Sequence, residues 1–180
     1  MIEQDTIKLL RECDAGVKMG IASIDDVLDY VKSQKLKDFL IDCKNEHVTL
    51  DREIGEELNK FHDDGKNPNP IAKTMSAMKT NMKLAMKESD KTIADLMTDG
   101  CDMGVKSLNK YLNEYEAAEE FAKDICKKLI KLEEKLRGEV KNYLWVSWLV
   151  WLVASVASSQ GPEIRKQGFA NNKTPHHSKY

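Results

Sequence analysis

Apolar side chains recur at three- and four-residue spacing between residues 7 and 31, at Leu10, Val17, Ile21, Ile24, Leu28 and Val31, which predicts an amphipathic helix. A polar break, KSQK, leads to a second stripe at Leu40, Cys43, Leu50, Ile54, Leu58 and Phe61. So short a junction predicts antiparallel neighbours. The second helix should stop at HDDGKNPNP, where Gly65 can take the left-handed conformation and Pro68 and Pro70 cannot continue the hydrogen-bond ladder. Residues 71–87 form a shorter amphipathic stretch. Ser89 or Asp90 is placed to cap a third helix ending near Glu114, and a fourth is expected over residues 117–143.

One phrase occurs twice. ECDAGVK at residues 12–18 returns as GCDMGVK at residues 100–106. Setting Phe39 beside Phe121 extends the match into the partner helices: Asp42 meets Asp124, Leu50 meets Leu132, Asp51 meets Glu133, Glu57 meets Glu139 and Phe61 meets Tyr143. This register predicts two duplicated helical hairpins joined by a long crossover, residues 62–89, which is the layout of a ferritin-like four-helix bundle.

Composition agrees with an all-α chain: four prolines and nine glycines among 180 residues leave little for a turn-rich β-architecture. The length suits one bundle, residues 1–143, followed by an apolar segment over 144–160 and a solvated tail over 161–180. Before Glu163 the chain carries 24 basic and 29 acidic side chains, a balance that argues against nucleic acid as a partner. The first residues, MIEQDTIKLL, have acids where an export signal has basic residues, so a cytoplasmic location is expected. Cys13, Cys43, Cys101 and Cys126 lack CxxC spacing and read as buried free thiols.

RECDAGVKMG, NEHVTLDREIGEEL, HDDGKNPNPIAKTMSAMKTNMKLAM and DLMTDGCDMGVKSLNKYL together resemble an uncharacterised bacterial family of ferritin-like domains, over about residues 3–143. The resemblance implies a ferritin-like fold and a cytoplasmic setting. It does not bring the di-iron chemistry of that fold with it. Such sites take a Glu from each of two helices and a Glu-x-x-His from each of the others. Three residues before His47 stands Lys44, three before His62 stands Asn59, and the fourth-helix counterpart of His47 is Leu129. Where some members of the resembled family carry Glu after the glycine of the repeated phrase, this chain has Val17 and Val105.

A reduced metal site could draw only on Asp14, Asp102 and His47. At 1.5 Å per residue Asp14 lies about 30 Å below the first turn and His47 about 18 Å, too far apart to share an ion. Polar residues at the core edge are the expected role of the aspartates, and a satisfied core histidine that of His47. Gly16 and Gly20, like Gly100 and Gly104, are spaced by four, and a glycine inside a helix needs a reason. Close crossing of helices one and three supplies it.

Two surfaces remain. Met75, Met78, Met82 and Met86 make a stripe in the crossover, with Lys73, Lys79, Lys83 and Lys87 around it, and packing onto the bundle is the expected use. The stretch YLWVSWLVWLVASVA holds Trp145, Trp148 and Trp151 toward one end, within 21 uncharged residues between Lys141 and Glu163. Its strongly apolar part is 15 residues long, short of the roughly 20 a spanning helix needs. Membrane contact through residues 143–159, a fifth packed helix, an oligomer contact and an incidental tail all fit it.

No nucleophile–base pair, glycine-rich phosphate loop or ligand quartet stands in the sequence. The reading is therefore a non-catalytic ferritin-like bundle without cofactor, a structural or interaction module that could form a homo-oligomer. A metal-binding or redox relative with a non-standard site, and a bundle anchored at the cytoplasmic face of a membrane by its C-terminal segment, are the alternatives.

Overall fold

Two serines begin two of the helices. In the computed structural model, which describes residues 2–66 and 89–144, the Ser33 hydroxyl accepts from the Leu36 N–H and the Ser89 hydroxyl from the Thr92 N–H, each covering a donor that the first turn leaves free. The elements are α1 (Ile2–Leu28), α2 (Gln34–Lys60), α3 (Asp90–Glu114) and α4 (Glu120–Val140), closed by a 3-10 turn at Lys141–Tyr143. There is no strand among the described residues.

Helix α1 packs on α2, and α3 on α4, as two hairpins; α1 also touches α3 and α4, and α2 touches α4. Glu119, at the start of α4, donates its N–H to Thr6 near the start of α1, so these two helices run the same way. Asp90, at the start of α3, accepts the N–H groups of Lys32 and Ser33, so α2 and α3 both run back from that end. The order is up, down, down, up. The all-α four-helix expectation is met.

Several boundaries differ from the periodicity. Helix α1 begins at Ile2 and stops at Leu28, earlier at both ends than expected. Helix α4 begins at Glu120 and not at 117, because Ala118 is buried in a turn that its N–H closes onto Tyr115, while Thr6 holds the Glu119 N–H. Of the two candidate caps of α3, Ser89 does the capping and Asp90 braces the α1–α2 turn. The left-handed residue ending α2 is His62, φ 55°, and not Gly65. The His62 N–H reaches the Asn59 carbonyl and the Asp63 N–H reaches Leu58, a Schellman closure. Gly65, φ 79°, serves the following turn.

The methionine stripe of residues 75–86, the apolar segment with Trp145, Trp148 and Trp151, and the tail lie outside the described residues. No helix among the described residues is long and apolar enough to cross a membrane.

Candidate functional site

The core is two apolar clusters with a polar layer between them. One cluster joins Leu9, Leu10, Cys13 and Val17 to Leu50, Ile54, Leu58, Leu108 and the first half of α4. The other joins Ile24 and Val27 to Leu36, Leu40, Cys43, Ile93, Met97, Cys101, Leu136 and Val140. At the level between them α2 supplies His47, 0% exposed, and α4 supplies Glu133, 7% exposed. Helices α1 and α3 supply Gly20 and Gly104, the small residues that leave room for those side chains.

Helical spacing explains the placement. His47 sits four residues after Cys43 and three before Leu50 on the buried stripe of α2, and Glu133 sits between Leu129 and Leu136 on that of α4. Nδ1 of the imidazole lies 2.7 Å from the Cys43 carbonyl oxygen, so it donates there. Nε2 faces Glu133 Oε1 at 3.5 Å, an ion-pair distance, and is buried without a hydrogen-bond partner, so the histidine is satisfied at Nδ1 alone and not at both nitrogens as expected. Burial pulls the imidazolium toward losing its proton, but Glu133 and the Cys43 carbonyl together outweigh it, and His47 holds its proton more tightly than a free histidine.

The three sequence-derived metal candidates are not brought together. Asp14, 3% exposed, accepts from Lys18 Nζ and from the Lys66 N–H through the same oxygen, each at 2.8 Å. With Lys66 Nζ on Glu12 at 2.6 Å and Arg11 against Asp63 at 3.1 Å, it forms a clasp that ties the end of α2 to α1. Asp102 is half-exposed and pairs with Arg137. Only His47 is at the polar layer, and its partner there is Glu133, which the sequence reading did not single out. The signal that could have found it was a carboxylate on the fourth helix's apolar stripe.

The glycines divide. A Cβ on Gly20 would stand 2.9 Å from His47 Cδ2, and one on Gly104 would stand 3.5 Å from Glu133 Cδ. A Cβ on Gly16 would touch Leu129 at 3.4 Å, whereas one on Gly100 would meet nothing within 4 Å. The nearest neighbours are side chains, so the expected close backbone crossing is replaced by space for His47, Leu129 and Glu133, and Gly100 has no packing reason.

All four cysteines are buried free thiols. Burial pushes Cys43 up to about 12 and raises Cys101 further; Cys13 is raised by a hydrogen bond with Cys126 and by burial. Protonated thiols are poor ligands and poor nucleophiles at neutral pH. Among the described residues no group of three or more His, Cys, Asp or Glu side chains is placed to hold an ion. His47 and Glu133 alone do not fit the carboxylate-rich set that a di-iron centre needs.

With this geometry in hand, comparison with protein-family profiles, with curated proteins and with solved structures finds no match.

Proposed function

We propose that the chain is a non-catalytic, ferritin-like helical bundle built from two related hairpins, acting in the cytoplasm as a structural or interaction module. The observation that carries this reading is the polar layer itself. The level at which a ferritin-like bundle would assemble its ligands holds one imidazole and one carboxylate facing each other, with glycines opposite them. Among the described residues no three His, Cys, Asp or Glu side chains are placed around that layer to hold an ion. The up-down-down-up order supports the ferritin-like part, and the repeated Cys-Asp-x-Gly-Val-Lys phrase supports the related hairpins. Four buried thiols without a bridge suit a reducing compartment.

Elemental analysis of the full-length protein, purified from iron-supplemented cells and compared with a chelator-treated sample, tests the reading. Iron, manganese and zinc far below one ion per chain are the expected result. Near-stoichiometric metal that the chelator removes would overturn it in favour of a metal-binding relative.

A further inference from the structure

Hydrogen-bond inventory at the polar layer leaves one proton to place. The Cys43 carbonyl can only accept, so the hydrogen in its 2.7 Å contact with His47 belongs to Nδ1. Nε2 then carries either a lone pair or a second hydrogen, and it faces Glu133 Oε1 at 3.5 Å, both residues being buried. A lone pair against a carboxylate would leave two buried acceptors opposed with no donor between them, which is costly at low polarity. One proton turns the same contact into a buried ion pair, imidazolium against carboxylate, at 3.5 Å.

No other group supplies that proton. Helix α1 presents Gly20 at the ring, and its Lys18 is engaged by Asp14. Helix α3 presents Gly104 and the Cys101 thiol, which burial keeps protonated, while its Asp102 is held by Arg137 of α4. On α2 the charges near the ring are Glu46, held by Lys135 of α4, Lys44, paired with Asp25 of α1, and Asp51 one turn on, whose carboxyl burial pushes up toward the neutral form. We propose that the layer is a proton-operated latch: a single proton held between His47 Nε2 and Glu133 Oε1 draws α2 onto α4 across the seam between the two apolar clusters, and its loss at alkaline pH loosens that seam. The direction follows from the tighter hold of the folded chain on the His47 proton. The latch contributes fully below the ordinary histidine value of 6.5, where folded and unfolded chains are both protonated, and its contribution is lost as pH rises through the higher folded value.

Urea unfolding of the full-length chain across this range, beside Glu133→Gln, tests the latch. The glutamine amide donates to a neutral Nε2 and needs no proton. The folded-to-unfolded ratio of the wild type should fall relative to the variant by up to about tenfold per pH unit between the two histidine values. Parallel profiles would overturn the proposal. A second readout does not depend on the variant folding: the His47 ring resonance, followed by NMR, should titrate at higher pH in the folded chain than in urea. Titration at or below the unfolded value would equally overturn it.

Discussion

Gly20 and Gly100 stand at opposite limits of what a helical glycine does. The imidazole of His47 occupies the space where a Gly20 side chain would begin, and the ring cannot swing aside without leaving the Cys43 carbonyl. Gly20→Ala should therefore cost about 0–2 kcal/mol, the overpacking penalty of roughly 1–3 less the helix gain of alanine of about 1. Gly100→Ala meets nothing and should stabilise by about 0.5–1 kcal/mol. Urea unfolding of the two variants measures both. The sequence showed these glycines as two equal pairs, because spacing reveals a face of a helix and not the size of the side chain opposite. His47 was legible as a core residue, since it continues the stripe of Cys43 and Leu50. Glu133 was missed although it continues the stripe of Leu129 and Leu136, because its sequence neighbours Glu134 and Lys135 give it the look of a solvated face.

At the scale of elements, periodicity found the four helices and missed how they end. The turn after α2 was read from Gly65, the obvious left-handed residue, yet the helix closes three residues earlier with His62 in that role. Gly65 is left for the clasp: a Cβ there would stand 2.5 Å from Asp14 Oδ2, so glycine is what lets the Lys66 N–H reach that carboxylate. His62 is exposed and carries the conformational cost of a left-handed non-glycine residue. His62→Gly should consequently raise stability by about 1 kcal/mol, again read from urea unfolding. The late start of α4 has a similar origin. The N–H of Glu119, the residue before it, is held by Thr6, and no local pattern announces a partner more than a hundred residues away.

For the whole molecule, the fold class and the pairing of hairpins were legible from stripe spacing and short junctions. The division of the core was not. It depends on two polar residues from different hairpins meeting at one level, with the clusters of Leu9–Leu58 and Ile24–Val140 closing above and below them. The central claim is that His47 and Glu133 are retained for each other inside a structural core. A double-mutant cycle at neutral pH with His47→Leu, Glu133→Leu and the pair together tests it most directly. His47→Leu leaves the buried carboxylate opposed by leucine and should cost about 3–5 kcal/mol, whereas the double variant should recover most of that loss, because a well-packed apolar pair is close to neutral. Losses that simply add would show that the two side chains do not act as a unit, and would contradict the account.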